Sequence, residues 1–518
     1  MATPDLILYN CRIYPTVDPH SRFEALAIWK GMVTDLGSDR DILALKGQRT
    51  EKKNLHGGVV LPGFCDCHIH LLGYGMLLRT LDLSKVRSIE EIKVRVAITS
   101  SRASEDSWIL GRGWDDEKLR DDRYPTRYDL DEATSHAVFL KRVCGHVAVA
   151  SSKALTSAGI TRDTPDPEGG VIVRDSSGVP NGVLRERAIE LIERVVPQSA
   201  DETRKALTKA SRQLVKLGIT SLHCIVSDSN ELVELRRLKD EGEILQSIYA
   251  IVPLTLLDQL ADLGFSTERG PESFRIGGVK LFLDGSLGAR TAALNAPYSD
   301  EPGSSGMLTM NREHLERVVL KATEARFQLC IHSIGDRAVE LATQVLDASF
   351  SARNCRERRH RVEHASLVTK ESIQRMRRLG VIASVQPRFI YSDTWARQRL
   401  GLQRLPNLYS FGTLAKQGII LAAGSDCPVE DPNPFEGIWS AITRPGLNGS
   451  EALTVMQALA AYSRNAAYAS FCEDKRGTLE PGKIADMVVV DRDPFESSPE
   501  SIRETKVIET IIGGTVVS

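Results

Sequence analysis

Hydrophobic and polar positions alternate in short runs at both ends of the chain. "DLILYNCRIYP" and "FEALAIWKGMVTDLG" near the start, and "KIADMVVVDRDP" and "KVIETIIGGTVVS" near the end, have the period of two expected of half-buried strands. Chain ends are often neighbours within a domain. Residues 1–57 and 475–518 are therefore expected to form one small composite β-domain. Between them, short β-branched runs alternate with helical patterns. The runs are "GGVVLPGFCDCHIH" (57–70), "GITSLHCIV" (218–226), "LQSIYAIVP" (245–253), "RIGGVKLFLDG" (275–285), "FQLCIHSIG" (327–335), "RHRVEHASL" (359–367), "GVIASVQP" (380–387) and "GIILAAGSDCP" (418–428). Stretches such as "NREHLERVVLKATEARF" (311–327) have helical spacing.

Eight strand–helix units in sequence predict an α/β fold, a closed (β/α)8 TIM barrel over 58–474, with an open doubly wound sheet as the alternative. Roughly 140 residues separate the first run from the second. A structureless loop of that length is not expected. An inserted subdomain over about 76–205 is predicted after strand 1, on the side where barrel active sites sit.

Composition narrows the function classes. Of 518 residues, 42% are hydrophobic and 26% charged, with a net charge of −2, so no global field favours nucleic acid or an anionic membrane. "RERRHR" (356–361) reads as a solvated helix end. The N-terminus does not read as a signal peptide, and no apolar run has the length of a membrane span. Nine cysteines without a C-x-x-C spacing fit a reduced, cytoplasmic setting.

The chemistry concentrates in "CDCHIH" (65–70). Strand alternation puts Asp66, His68 and His70 on one face and Cys65, Cys67 and Ile69 on the other. The cysteines are expected to point outward to the helix layer as small apolar residues. His-x-His then offers two imidazoles to one ion. His332, His364 and Asp426 each lie near the C-terminal end of a predicted strand, where barrels expose reactive groups. Lys280 sits inside an apolar strand, and a buried ammonium needs a partner or neutralisation.

"LPGFCDCHIH", "VKLFLDGSLGARTAAL", "IHSIGDRAV", "RVEHASL", "GSDCPVEDPNP" and "GTLEPGKIADMVVVDRDP" together resemble the amidohydrolase superfamily. They are most similar to its amidohydrolase-3 (YtcJ-like) branch, which includes N-substituted formamide deformylase. "PTRYDLDEAT", "VCGHVAVASSKAL" and "GVLRERA" in the insertion fit the same branch; Cys427 departs from the aromatic residue that many relatives carry.

The resemblance implies that His68 and His70 hold a first metal with Asp426, and that His332 and His364 hold a second. Lys280, carboxylated on its amine, would bridge both. Two zinc ions suit imidazole and carboxylate ligands, with iron, manganese or nickel as alternatives. The implied reaction is hydrolysis of a non-peptide carbon–nitrogen bond in an amide, N-substituted formamide or cyclic amide. A metal-generated hydroxide attacks, and Asp426 shuttles the proton. Arg290 is the implied oxyanion partner, and His146, Trp114 and Asp115 are candidate pocket residues. Glu186 reads as a helix-face charge. His223 has no matching ligand motif, and Asp284 is either a loop former or a substrate-side group. No G-x-G-x-x-G follows a strand, so no dinucleotide is expected. The alternatives are a mononuclear deaminase, which leaves Lys280 unexplained, an ester or lactone hydrolase, and a non-catalytic scaffold. Expected partners are a small amide-like substrate and, by superfamily habit, a second subunit in a homodimer.

Overall fold

A computed structural model of the chain describes residues 3–104, 107–142, 146–196 and 200–518. Its backbone resolves into two compact units, Met1–Tyr74 with Leu207–Ser518, and Gly75–Ala206.

The first unit contains eight parallel strands hydrogen-bonded in sequence order. They are β1 (Phe64–Ile69), β2 (Ile219–Ile225), β3 (Ser247–Pro253), β4 (Phe274–Phe282), β5 (Gln328–Ser333), β6 (Arg361–His364), β7 (Ile382–Val385) and β8 (Leu421–Ala423). Just beyond β8 the circle closes on β1, through Asp426 N donating to His68 O (2.7 Å) and His70 N donating to Cys427 O (2.9 Å). This is the TIM barrel. Glycines end the helices that feed several strands. Gly380, at φ 68°, caps Lys370–Leu379 in a left-handed conformation that costs other residues strain. The helix Arg464–Ala469 covers the N-terminal end of the barrel: Asn465 Nδ2 donates to Leu421 O (2.9 Å), and Gln328 Nε2 donates to Ala469 O (2.9 Å).

The same unit carries two small sheets drawn from both chain ends. One joins Leu6–Tyr9, Ala25–Trp29, Met32–Gly37 and Glu51–Asn54. The other joins Arg12–Ile13, Val59–Pro62, Met487–Val490, Val507–Ile512 and Thr515–Val516. Leu8, Leu26, Ile28, Val60, Met487, Val489 and Ile511 pack between them into one sandwich core.

The second unit is built on a six-stranded sheet. Its central strands are Ile109–Trp114, Val138–Arg142, Val147–Ala150 and Pro180–Glu186. Two apolar clusters fill it, one around Ile92, Trp114, Leu130 and Leu140, the other around Phe139, Leu155, Leu184 and Ile192. No helix among the described residues is long and apolar enough to cross a membrane. The described cysteines are free thiols.

Candidate metal centre

The face assignment in "CDCHIH" is corrected by a β-bulge. Leu222 of β2 lies opposite Asp66, and Cys224 lies opposite Ile69, so three residues of β1 span what two span on β2. The extra residue resets the alternation. Cys65 and Cys67 turn inward, in a buried cluster with Ile382, Ala422, Ala466 and Ala469. His68 is also inside. Asp66 instead serves the junction with β8, accepting from Ser425 N (3.0 Å) and His68 N (3.1 Å). Burial pushes its pKa up to about 6 against those bonds.

The metal candidates cluster at the C-terminal ends of their strands. His68 Nε2 and His70 Nε2 lie 3.5 and 3.3 Å from Asp426 Oδ1, and Lys280 Nζ lies 3.2 Å from His68 Nε2. The rings of His332 and His364 are 4.4 Å apart, and those of His68 and His364 are 4.9 Å apart. The second nitrogen is held on three of the four rings. His68 Nδ1 pairs with Glu363 Oε2 (2.6 Å), His332 Nε2 with Gly285 O (3.0 Å) and His364 Nδ1 with Gln386 Oε1 (2.7 Å). Such partners fix the tautomer and aim the other nitrogen at an ion. Glu363 and Gln386 were not singled out from sequence. A charged pair two residues apart in a buried strand, Arg361 and Glu363, was the available signal.

The electrostatics favour ligation. Burial lowers the pKa of His68, His332 and His364, with His332 brought down to about 4, so the rings are neutral donors at physiological pH. Burial also lowers that of Lys280, against the nearby carboxylates of Glu363 and Asp426. For Asp426, burial raises the pKa, but the surrounding His68, His70 and His364 outweigh it and hold the group ionised. His364 and Asp426 adopt left-handed backbone (φ 74° and 57°), a strain that bulky residues keep where the surroundings enforce it. Imidazoles, one carboxylate and one buried amine, converging within a few ångströms, fit divalent ions.

A second trio, Cys65, Cys67 and His223, is equally compact. There His223 Nδ1 accepts from Arg361 Nη1 (2.9 Å), which commits the ring's lone pair. It therefore does not offer three free donors.

The other sequence candidates have partners within their own units. Trp114 is fully buried in the core of the second unit, its Nε1 donating to Leu140 O (3.1 Å). Of the two roles open to it from sequence, pocket lining and packing, its ring is spent on packing. In the same unit Asp115 pairs with Arg142 (2.8 Å) and Lys118 (3.2 Å). The exposed His146 pairs with Glu186 (2.9 Å). Val143, Cys144 and Gly145 of the preceding motif lie outside the described residues. In the barrel unit, Arg290 is held by Asp300 (3.0 Å) and Glu301 (3.3 Å). Asp284 is a loop former, accepting from Ala293 N (3.0 Å), Ile334 N (3.0 Å) and Gly335 N (2.8 Å). Phe282, not anticipated, stands at the end of β4 with its ring 5.1 Å from that of His332, half exposed.

Comparison with known proteins agrees with this geometry. A family model described as the amidohydrolase family matches residues 53–518. YtcJ of Bacillus subtilis (strain 168) is 34% identical over 98% of both chains. N-substituted formamide deformylase of Arthrobacter pascens is 25% identical, covering 99% of this chain and 98% of its own. An uncharacterized metal-dependent hydrolase from Pyrococcus furiosus superposes with a TM-score of 0.83 at 33% identity, over 95% of this chain and all of its own. Matched almost end to end in sequence and in fold, the chain belongs to the amidohydrolase family.

Proposed function

We propose that the protein is an enzyme that hydrolyses a non-peptide carbon–nitrogen bond in an amide, N-substituted formamide or cyclic amide. The observation that carries this reading is the convergence of four histidines, Asp426 and a buried Lys280 on one spot at the C-terminal mouth of the barrel. His68, His70 and Asp426 would hold one ion, and His332 and His364 the other, with zinc suited to the donor set. Lys280 would bridge them as an N6-carboxylated side chain: its amine would add to carbon dioxide with loss of a proton, placing an anionic oxygen ligand where a buried ammonium would be costly. When bound, such ions lower the pKa of water and polarise a carbonyl.

The remaining work falls to the chain. Asp426 is ionised and can accept a proton at Oδ1, within reach of both His68 and His70. From there it can deliver that proton to the leaving nitrogen, which departs as an amine. Glu363, Gly285 O and Gln386 hold the ligand rings so that neither nucleophile nor substrate must organise them. Arg290 is engaged by two carboxylates, so oxyanion stabilisation is not assigned to it. The relative that hydrolyses N-substituted formamides, matched over nearly its full length, supports the choice of substrate class.

The test is metal content per chain, by elemental mass spectrometry, on full-length protein purified without chelators, beside Lys280→Ala. Two ions in the wild type, falling in the variant, are expected, together with turnover on a panel of amides and formamides. One ion, unchanged in the variant, would overturn the bridged centre and favour deaminase-type chemistry.

A further inference from the structure

We propose that Glu231 is a positioning residue for the metal centre, the outer partner that holds the ring of His70. The inference rests on the metal reading above. The accounting of ring nitrogens leads to it. Three of the four histidines have their rear nitrogen held by Glu363, Gly285 O or Gln386. His70 directs Nε2 toward Asp426 (3.3 Å), and among the described residues its Nδ1 has no partner. A neutral ring that presents Nε2 to an ion carries its hydrogen on Nδ1, and that N–H needs an acceptor. His70 is also the most exposed of the four rings, so without a partner it is the freest to turn.

The matching acceptor stands at the neighbouring strand end. Glu231 is the third residue of the helix Ser229–Asp240, which follows β2. It is 2% exposed. Its Oε2 accepts from Ser227 N (2.8 Å), which folds the side chain back over the end of β2. Its Oε1 is buried with no partner among the described residues. An orphaned buried carboxylate oxygen is costly and calls for a donor. β2 runs beside β1 with Cys224 opposite Ile69, so the loop carrying Ser227 and Glu231 leaves the sheet next to His70. One ring nitrogen and one carboxylate oxygen, each without a partner among the described residues, thus belong to adjacent strand ends.

A helix-capping role alone would explain the Ser227 bond but not the second oxygen. The two roles separate experimentally. Metal-free full-length protein is titrated with zinc against a chromophoric chelator, for wild type, Glu231→Gln and Glu231→Asp. Gln offers one carbonyl oxygen for two donors, and Asp withdraws the carboxylate by one methylene. Both variants should bind one zinc about 10–100-fold more weakly, a larger loss than any fall in the urea midpoint of the metal-free protein accounts for. The absorption spectrum of the cobalt-loaded protein should shift as the geometry at one ion relaxes. Zinc affinity within twofold of wild type in both variants would overturn the proposal. So would a weakening matched by an equal fall in metal-free stability, since that marks a cap and nothing more. A wild type that binds no zinc would overturn the metal reading itself, whereas a wild type with two tight zincs and indifferent variants would overturn only the role of Glu231.

Discussion

Replacing Glu363 with Gln tests whether the buried charges under the metal centre work as a unit. Glu363 and Arg361 are both fully buried. Arg361 Nε lies 2.8 Å from Glu363 Oε1 and Nη2 3.1 Å from Oε2, while His68 Nδ1 lies 2.6 Å from Oε2. Gln keeps the shape and removes the charge, leaving the Arg361 cation without its counter-ion. Breaking a buried pair in this way costs about 3–5 kcal/mol. Arg361 keeps neutral acceptors in Cys67 O (2.7 Å), Ser384 Oγ (2.8 Å) and His223 Nδ1 (2.9 Å), so the lower end, about 3 kcal/mol, is expected. The assay is urea unfolding of the metal-free proteins, which separates this loss from any loss of metal. Adding Arg361→Met to Glu363→Gln removes the stranded cation and should return part of the stability, a coupling of about 1–3 kcal/mol. The pH dependence has a definite sign. Burial raises the pKa of Glu363, but Arg361 and His68 outweigh it and hold the folded pKa well below the ordinary 4.5. Its contribution is therefore present above about pH 4.5 and is lost as pH falls toward the folded value. The gap between wild type and Glu363→Gln should narrow on acidification. A cost below about 1 kcal/mol at neutral pH, or a double variant as unstable as the two single losses summed, would refute the reasoning.

Asp426→Asn should keep its metal and lose turnover by at least about 100-fold, the usual scale for removing a positioned proton carrier; turnover near wild type at equal metal content would end that role. Trp114→Ala removes a fully buried ring that contacts Tyr124 and strands Leu140 O, so it should cost about 3–5 kcal/mol. Limited proteolysis should then cut within 75–206 while metal content holds, and an unchanged cleavage pattern would count against the assigned packing. Burial pushes Asp393 up to about 7 despite its hydrogen bond from Tyr409. The folded chain therefore keeps a proton that the unfolded chain has lost, and this stabilisation falls as pH rises from about 4 to about 7, by about 1.4 kcal/mol per unit at most. Asp393→Asn should flatten that slope in pH-dependent urea unfolding, and an equal slope in both proteins would show that the group titrates normally.

The barrel was legible because its signals are redundant. Each β-branched run is short, and several begin at the glycine that ends the preceding helix, as Gly218 and Gly380 do at positive φ. The ligand candidates were legible because they share a location rather than a local motif: strand ends in a barrel point to one place. What alternation could not supply was the count of residues. The bulge in β1 adds one residue without any glycine or proline to announce it, and every side chain before it changes face. Cys65 and Cys67 were therefore assigned outward. Trp114, open in sequence to either packing or a pocket, takes the packing role. Its neighbours Asp115 and Asp116 are both tied to Arg142, and the ring between the strands goes inward.

The bulge also explains why the histidines of one short strand can serve a metal while its cysteines do not. Without the extra residue, His68 would occupy the same alternating row as Asp66, whose oxygens are engaged by Ser425 and the His68 backbone. With it, His68 is turned toward Glu363 and Lys280, and the carbonyls of His68 and Cys427 close the barrel directly beneath Asp426. The Cys67 carbonyl is left for Arg361, which carries the charge that holds Glu363 ionised and so keeps a proton on His68 Nδ1 and a lone pair on Nε2. One inserted residue thus couples three things that alternation alone would separate: closure between β8 and β1, the tautomer of the first ligand, and the inward placement of the thiols as packing beneath it. Closing that bulge would set His68 back in the row of Asp66 and remove the first ligand from the centre, so the metal chemistry of this chain depends on an irregularity of its barrel as much as on the identity of its histidines.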